Sequence, residues 1–453
     1  MDPPKAYAPS AAEKRRRADA RAILRAGLVA VDARVLTRRA VDLLRRTRGG
    51  EVRRRLIVLA AGKAAAAMTE GLLEGLPDRG SDLQVLGVVA HPVGSPPLAG
   101  DVRLEAVPAG HPFPDAASEA AGRRMLELAH GATRADRVIL LLSGGASSLM
   151  TVPAAGLTVG DLRSTAAAFS RAGAPITELN AVRKHLSAVA GGLLGVAAAP
   201  AEMDVLAISD VVGDDLSIIG SGPAYGDEST YDACLDIMTR RGLLDQVPPG
   251  VAAHLRRGAR GTLPETPRPE DPRLAGVRHH VLAGTLQACR AMAAAAGGQG
   301  YRSLVLSHLL EGEARELGVF HAGLGAAAAR AGVPVEPPCA LVTGGEATVT
   351  IQGPGLGGRN QETCLAAVSR LSGLPVTFLS AGTDGVDGPT EAAGGLVDGG
   401  SAARAAWVGL DVDAALAAND AHTALAALGD LLVTGPTGTN VADVRLVLVG
   451  ERT

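Results

Sequence analysis

The sequence predicts an α/β protein whose first half forms a mainly parallel sheet with helices on both faces. Short, wholly apolar runs alternate there with helical segments, as in RLIVLAAGKAAAAM and DRVILLLSGGASSLM. Strands that are buried on both faces have this continuous apolar character. The second half mixes similar units with alternating segments such as ATVTIQG, which is typical of a half-exposed strand in a mixed sheet.

Length and a local change in composition divide the chain into two predicted domains. The 453 residues are enough for two or three domains. Residues 258–276 concentrate prolines and charges without periodicity, which is typical of a linker or a surface excursion. We therefore expect one domain over residues 1–257, a linker over 258–276 and a second domain over 277–453.

The other elements are predicted in chain order from the spacing of apolar residues. After a polar start, Ala18–Leu44 predicts one or two amphipathic helices. Further strands in the first half are predicted at LGVVAHPVG and MDVLAISDVVGDD, and helices at AASEAAGRRMLELAHGA and LNAVRKHLSAVAGGLLGVA. In the second half the pattern resumes with HHVLAGTLQACRAMAAAAG, SLVLSHLLEGEARELG, CALVTGGEATVTIQG, PVTFLSAGTDGVDG and LLVTGPTGTNVADVRLVLVG.

Composition argues against several classes of partner and site. Aromatic residues make up 2% of the chain and the formal net charge is −3, so stacking platforms and basic stripes for nucleic acid are not expected. The four cysteines form no C-x-x-C pair, which disfavours a zinc knot or a disulfide framework. No secretory signal and no apolar run near the ~20 residues of a membrane span is present. We expect a cytoplasmic protein without a membrane partner.

One local pattern recurs where predicted strands end. A serine or threonine followed by glycine stands at Ser143-Gly144-Gly145, Thr343-Gly344-Gly345, Thr434-Gly435-Pro436 and, as a variant, Ser380-Ala381-Gly382. Glycine allows close approach of a ligand, and the N–H groups of a following helix favour an anion. Such turns also join strands to helices without any ligand, but their recurrence favours a binding site. The predicted anion contacts are Ser143, Gly144, Gly145, Ser147, Ser148, Gly344 and Gly345.

Lys63 is a candidate for a phosphate contact. Lysine occurs only four times in the chain, and this one directly follows a buried strand and precedes an alanine-rich helix. A compact ammonium at that point suits a phosphate, although a solvated lysine at a helix start is the alternative. A Walker-type loop is excluded because Ala64 follows the lysine and Ile57 stands where the first glycine is required. A serine nucleophile elbow fails as well, because Ser147 lacks flanking glycines.

Arginine and carboxylate side chains complete the candidate site. Arg359 and Asn360 stand at a predicted helix start, where a guanidinium can clamp a carboxylate or phosphate. Acids cluster after predicted strands, and hard oxygen ligands beside phosphate are what Mg²⁺ uses. Turn formation by Asp-Gly pairs is the alternative. The acids singled out are Asp210, Glu346 and Asp384.

GPGLGGRN formally matches the dinucleotide fingerprint G-x-G-x-x-G before a helix. The match is weak because a proline occupies the tight turn and no acid stands about 20 residues further on, where position 378 is phenylalanine. A nicotinamide-dependent reductase therefore remains only an alternative. A non-catalytic module that senses a nucleotide or a sugar phosphate is a third reading.

Several long motifs together resemble a known family. These are GKAAAAM, HPFPD, LLSGGASSLM, LNAVRKHLS, SDVVGDD, IGSGP, GGEATV, GGRNQE, AGTDGVDGPTEAAGG and VTGPTGTNVADV. In this order they resemble the type II glycerate kinases, whose C-terminal domain is called MOFRL and whose members are also labelled hydroxypyruvate reductases. The resemblance spans roughly residues 20–450, with the MOFRL region at about 335–450. One departure is Asn419-Asp420-Ala421-His422, where many relatives have a hydroxyl residue.

The resemblance implies ATP- and Mg²⁺-dependent phosphorylation of D-glycerate to 2-phosphoglycerate. The alternative is an NAD(P)-dependent hydroxypyruvate reductase. It also implies two α/β domains, one Rossmann-like, with the active site in the cleft between them, and a homodimer is a candidate assembly. Asn180 lies one helical turn from Arg183 and Lys184, on a face that is either near the site or simply exposed. By motif position, the residues implied at the cleft are Lys63, Asp210, Glu346, Arg359 and Asp384, with Asp210 or Asp384 holding Mg²⁺ or orienting the substrate hydroxyl.

Overall fold

The computed structural model of the chain describes residues 9–47, 55–76, 83–95 and 104–450. It divides into two compact units. The first unit is Ala33–Leu282, and the second combines Met1–Asp32 with Ala283–Thr453. The expectation of two α/β domains, one with a parallel and one with a mixed sheet, is confirmed.

The described part begins with α1 (Ala11–Ala30), which belongs to the second unit. Its first turn is closed by Ser10, whose hydroxyl accepts a hydrogen bond from the Glu13 N–H group. The elements of the first unit are α2 (Ala33–Thr47), β1 (Arg55–Ala61), α3 (Ala65–Gly75), β2 (Gln84–Pro92), β3 (Leu104–Ala109), α4 (Ala116–His130), β4 (Asp136–Leu142), α5 (Ala146–Leu149), α6 (Val159–Arg171), α7 (Ile176–His185), α8 (Leu193–Ala198), β5 (Glu202–Ile208), α9 (Tyr231–Arg240), α10 (Pro249–Ala259) and β6 (Val277–Ala283).

The sheet of the first unit has the strand order β3-β2-β1-β4-β5-β6. The pairings of β3 with β2, β2 with β1, β1 with β4 and β4 with β5 are parallel. This is the order of Rossmann-type sheets, in which the chain switches direction across the sheet between β1 and β4. The apolar strands pack against α4 through Met125, and a separate apolar cluster joins α6, α7, α9 and α10.

The second unit contains a mixed sheet. Its elements after α1 are α11 (Thr285–Gly298), β7 (Arg302–Glu313), α12 (Ala314–Ala331), β8 (Cys339–Thr348), α13 (Arg359–Leu371), β9 (Val376–Gly382), β10 (Gly394–Asp398), α14 (Ser401–Val408), α15 (Val412–Ala417), α16 (Ala421–Leu428), β11 (Leu431–Leu432) and β12 (Asp443–Val449). The strand order is β11-β10-β9-β12-β8-β7, in which β12 runs antiparallel to both β8 and β9 whereas β7 and β8 are parallel. Its core lies between this sheet and helices α12, α13 and α16.

The compact units differ in three places from the domain limits expected at 1–257, 258–276 and 277–453. Residues 277–282, within β6, belong to the first unit rather than to the second domain. Helix α1 belongs to the second unit, because Arg17 bonds Asp398 and Asp430 there, at 2.6 and 2.9 Å. Residues 258–276 lie within the first unit rather than between two bodies. They are held by polar contacts, since Thr266 donates to Asp227 and the Arg268 guanidinium donates to the Asp227 carbonyl.

One predicted turn is wrong. Gly344 and Gly345 lie inside β8 and pair with Val444 and Asp443 of β12, so they do not end a strand. Glycine is required there because a side chain at Gly344 would meet Thr285 and one at Gly345 the backbone of β7. Close packing of strand and helix, rather than a turn, explains this pair. Across the described ranges, no helix is long and apolar enough to cross a membrane.

Candidate active site

Two glycine turns meet at the carboxyl ends of β1 and β4. The Lys63 N–H group donates to the Gly144 carbonyl at 2.8 Å, and the Ala64 N–H group donates to the Ser143 hydroxyl at 2.9 Å. Gly62 has φ = +135°, and any side chain on it would collide with Ser143. Since β1 and β4 flank the switch point of the sheet, both turns lie where open α/β sheets bind their ligands.

The turn after β4 leads directly into the short helix α5. Gly145 has φ = +87° and precedes the helix, and its missing side chain leaves room for the His111 ring. The hydroxyl of Ser143 is buried and joins the two turns, while Ser148 donates to the Gly145 carbonyl at 3.0 Å. The structure thus brings Ser143, Gly144 and Gly145 beside Lys63, and the Ser143 hydroxyl links the two turns.

A chain of hydrogen bonds connects α5 to α7. Ser147 Oγ lies 2.8 Å from Ser221 Oγ, which donates to Asn180 Oδ1 at 3.3 Å. The same amide oxygen accepts from Arg183 Nη1 at 3.0 Å. Burial lowers the pKa of Arg183 to about 10. The structure therefore brings Asn180, Arg183 and Ser147 together. Sequence reasoning missed Ser221, although it stands in the quoted motif IGSGP.

Lys184 is turned towards a different partner. Its ammonium lies 3.3 Å from Asp227 Oδ1, and both side chains are buried. Burial alone would raise the pKa of Asp227, but the charge of Lys184 and hydrogen bonds from Ser229 outweigh it, so the pKa lies below its usual value. A cavity of about 400 Å³ is lined by Lys184, Asp227, Asn180 and Tyr225. Lys184 thus forms a buried ion pair beside this second cavity.

Asp210 follows β5, the strand next to β4 in the sheet. It is partly buried, and the hydroxyl of the preceding Ser209 accepts a hydrogen bond from the Val211 N–H group. Asp215, further along the loop, caps a turn by accepting from the Ser217 N–H group at 2.8 Å. The loop therefore holds Asp210 near the same edge of the sheet as the two glycine turns.

In the second unit, Arg359 opens helix α13 and bonds the first residue of β12. Its Nε atom lies 2.8 Å from Asp443 Oδ2, and its Nη2 atom lies 3.6 Å from Glu346. Burial alone would lower the pKa of Arg359, but Asp443 holds it above its usual value. For Asp443, burial is opposed by the charges of Arg359 and Arg445, and its pKa lies below the usual range. The predicted helix start at Arg359 is confirmed, and sequence reasoning missed Asp443, the buried partner of this arginine.

Asn360 connects this ion pair to the loop after β9. Its amide donates to Asp443 at 2.9 Å and to Asp387 at 3.3 Å, and its Oδ1 atom accepts from Ser380 at 2.6 Å. Asp387 caps α13 by accepting from the N–H groups of Asn360 and Gln361. Burial raises the pKa of Asp387 despite these bonds. The start of α13 is therefore hydrogen-bonded to three side chains from other parts of the second unit.

Asp384 lies in the same loop, two residues after β9, and is partly buried. Its carboxylate accepts from the Val386 N–H group at 3.1 Å, the turn-forming role that was the alternative to metal binding. Glu346 is half-exposed, with 49% of its side chain accessible. Both carboxylates thus lie at the surface of the cluster around Arg359 and Asn360.

Comparison with known proteins identifies the family. Residues 19–256 match a family model described as a domain of unknown function, DUF4147, and residues 339–443 match the MOFRL family. A glycerate 2-kinase of Pyrococcus horikoshii is 37% identical over 89% of both chains. A D-glycerate 2-kinase of Thermotoga maritima is 38% identical over 87% of this chain and 91% of the relative.

The crystal structure of a Thermotoga maritima glycerate kinase shows that this similarity extends to the fold. It superposes with a TM-score of 0.84 at 36% identity, over 96% of this chain and 100% of that one. The chain belongs to the glycerate kinase family. The resemblance stated from the motifs is thereby confirmed.

An Agrobacterium vitis protein that is provisionally named a hydroxypyruvate reductase is also similar, at 41% identity over 88% of both chains. In this glycerate kinase family member the dinucleotide-like segment does not follow a strand directly, because β8 ends at Thr348. Gly353 and Gly355 lie against the backbone of Ala418, and the N–H group of Gly353 donates to Asn419. Close packing on the Asn419 turn accounts for these glycines without a nucleotide.

The segment Asn419-Asp420-Ala421-His422, where the sequence departs from many relatives, includes the same turn. Asn419 has φ = +52°, and its amide donates to Glu362 at 3.0 Å. The His422 ring lies 2.9 Å from the side-chain oxygen of Gln361. These residues support the start of α13, so His422 acts here as a structural neighbour of Gln361. No group of three or more histidine, cysteine or acidic side chains suited to a metal occurs among the described residues.

Proposed function

We propose that this chain transfers the terminal phosphoryl group of ATP to the 2-hydroxyl of D-glycerate. A bond forms between the hydroxyl oxygen and the γ-phosphorus, and the bond from that phosphorus to the β–γ bridging oxygen breaks. The hydroxyl proton passes to a carboxylate. Such a transfer requires positioned reactants and neutralised charge rather than a covalent enzyme intermediate.

The observation that carries this proposal is the pairing of Lys63 with the Ser143–Gly145 turn at the sheet's switch point. The bond from the Lys63 N–H group to the Gly144 carbonyl holds the lysine backbone against that turn. In this position an ammonium neutralises developing phosphate charge in a preorganised site. We assign Lys63 and Arg359 to contacts with the transferred phosphate or the carboxylate of glycerate.

Asp210 and Asp384 are assigned two tasks, holding Mg²⁺ and accepting the hydroxyl proton. Each is a partly buried carboxylate that follows a strand end, and one or two carboxylates with substrate oxygens suffice for Mg²⁺. The small number of acids around each position therefore fits this ion. Bound Mg²⁺ would neutralise phosphate charge during transfer.

The test compares ADP release by wild type and Lys63→Ala with D-glycerate, ATP and Mg²⁺, and identifies the product by phosphorus NMR. We expect glycerate-dependent ADP and 2-phosphoglycerate from wild type, and a fall in kcat of about 10²- to 10³-fold in the variant. Lys14→Ala, at an exposed residue of α1, is the matched control and should behave as wild type. Chelation of Mg²⁺ should stop the reaction.

Two outcomes would contradict parts of the proposal. Full activity of Lys63→Ala would remove Lys63 from the reaction. A folded wild-type protein that releases no ADP would end the kinase proposal, and NADH or NADPH oxidation with hydroxypyruvate would then be measured.

A further inference from the structure

The carboxylate of Asp443 is the meeting point of several elements of the second unit. It lies at the start of β12 and is fully buried. Its Oδ2 atom accepts hydrogen bonds from Arg359 Nε at 2.8 Å and from the Ala347 N–H group of β8 at 3.2 Å. Its Oδ1 atom accepts from Asn360 Nδ2 at 2.9 Å, and Arg445 Nη2 lies 3.3 Å from Oδ2. One buried carboxylate thus joins the start of α13 to two strands.

The backbone directly before Asp443 is held as well. Ala442 has φ = +62°, in the left-handed region that residues other than glycine rarely adopt. Its carbonyl accepts from both the N–H group and the hydroxyl of Thr383, at 3.0 and 2.7 Å. Conformations of this kind persist only where the surrounding structure fixes them, and they cluster at functional sites. The place of the carboxylate is therefore set by the chain as well as by its hydrogen bonds.

The bond to Asp443 uses only one edge of the Arg359 guanidinium. A guanidinium carries five N–H donors in one plane, and among the described residues that of Arg359 makes its single hydrogen bond through Nε. The terminal Nη2 atom lies 3.6 Å from Glu346, which is beyond hydrogen-bond distance. The Arg359 side chain is 34% exposed, whereas that of Asp443 is 0% exposed. The buried anchor is thus at Nε, and the N–H groups of the terminal nitrogens remain for an anion.

We propose that Asp443 is a positioning residue for phosphoryl transfer, acting through Arg359. By accepting the Nε–H group it fixes the plane of the guanidinium, so that both terminal nitrogens are presented to an anionic group of the substrate. A planar fork binds phosphate or carboxylate oxygens bidentately only in the right orientation, and small errors in placement lower the rate. Asp443 itself touches no substrate, because it is fully buried. The proposal rests on the role of Arg359 in the proposed function.

The first experiment is a double-mutant cycle. It measures kcat for ADP release at a temperature where circular dichroism shows every variant to be folded. Asp443→Asn should lower kcat about 10- to 100-fold in the wild-type background. In the Arg359→Ala background, the same change should alter kcat by no more than about 2-fold. An equal loss in both backgrounds would show that Asp443 acts only on the structure, and it would overturn the proposal.

Asp398→Asn is the matched control for the loss of a buried carboxylate. Asp398 is also fully buried in the second unit, where it bonds Arg17 and Arg404 rather than Arg359. This variant should lose stability as Asp443→Asn does, but its kcat should stay within about 2-fold of wild type. If kcat fell equally in the two variants, stability alone would control the rate and the positioning role would be wrong.

Arg359→Lys tests the same geometry without changing a buried residue, and it decides the proposal even if Asp443→Asn does not fold. Lysine keeps the charge at this partly exposed position. Its one nitrogen cannot bond Asp443 and also present two further nitrogens to an anion, so kcat should fall by about 10²-fold. A wild-type kcat in Arg359→Lys would contradict the proposed division of the guanidinium.

A spectroscopic measurement separates this proposal from the kinase proposal. In NMR of protein with isotope-labelled arginine, the Nε–H signal of Arg359 is identified by its loss in Arg359→Lys and should exchange slowly with solvent. It should be lost in Asp443→Asn and kept in Asp398→Asn. If wild type releases no ADP, the kinase proposal fails, while this signal still decides whether Asp443 orients Arg359. A signal that does not depend on Asp443 would overturn the positioning role.

Discussion

Removing the charge of Asp443 is expected to destabilise the second unit severely. Its fully buried carboxylate accepts from Arg359 Nε at 2.8 Å, Asn360 Nδ2 at 2.9 Å and Arg445 Nη2 at 3.3 Å. Asp443→Asn keeps the shape but leaves Arg445 buried without its counter-charge. Two nitrogens of Arg445 already lack a hydrogen-bond partner among the described residues, so the guanidinium has no nearby alternative.

The size of the effect is estimated from the energetics of buried ion pairs. Removing one partner of such a pair lowers the free energy of unfolding by about 3–5 kcal/mol. At about 2–4 °C per kcal/mol for a unit of this size, the melting temperature should fall by roughly 6–20 °C. Scanning calorimetry and urea unfolding would measure both quantities.

A matched control separates this effect from a general loss of charge. Glu119 forms an exposed pair with Arg123 on α4, and Glu119→Gln should lower stability by less than about 1 kcal/mol. If Asp443→Asn were no more destabilising than Glu119→Gln, the buried carboxylate would not be the electrostatic centre of the cluster.

Three further predictions concern the glycine turns and the core. Ser143→Ala should lower the free energy of unfolding by about 1–3 kcal/mol in urea, because the buried Ala64 N–H group loses its acceptor; an unchanged value would contradict this role of the Ser143 hydroxyl. Gly62→Ala, at φ = +135° and against Ser143, should reduce kinase activity together with stability, and retention of both would refute the required close approach. Burial lowers the pKa of His321 to about 4 from 6.5. The unfolded chain therefore binds more protons between these values, and stability should fall by about 3 kcal/mol as the pH drops from 6.5 to 4. In urea unfolding at a series of pH values, His321→Gln should weaken this dependence of the unfolding free energy on pH. An equally strong dependence in the variant would contradict the assignment.

Local chemistry made much of the first unit predictable. Apolar strands such as β1 and β4, each followed by glycine and a helix, indicate a parallel sheet whose strand ends meet at one edge. Lys63 and Ser143 each follow one of these strands, and the structure places them side by side at that edge. The glycines that precede Arg359 likewise predict a helix start at this residue.

Long-range packing could not be predicted from the sequence in the same way. Gly344 and Gly345 have the composition of a turn, yet they lie inside β8 because β7 and α11 approach them too closely for side chains. Residues 258–276 have the composition of a linker, yet Thr266 and Arg268 bond Asp227 within the first unit.

The sequence by itself determined the fold class and the residue types of the candidate site, because strand burial, helix periodicity and glycine spacing act over a few neighbouring residues. It indicated the family through the resemblance of its long motifs and their order along the chain. Tertiary structure alone decided which charges meet. It paired Lys184 with Asp227 and Arg359 with Asp443, and it left Arg183 facing a cavity. Lys184 and Arg183 are adjacent on one helix, but successive helical positions point in different directions and meet different parts of the chain. Their different roles are therefore set by the residues that pack around α7. Three of these, Ser147, Ser221 and Asp227, lie more than thirty positions from Asn180 and Lys184 in the chain.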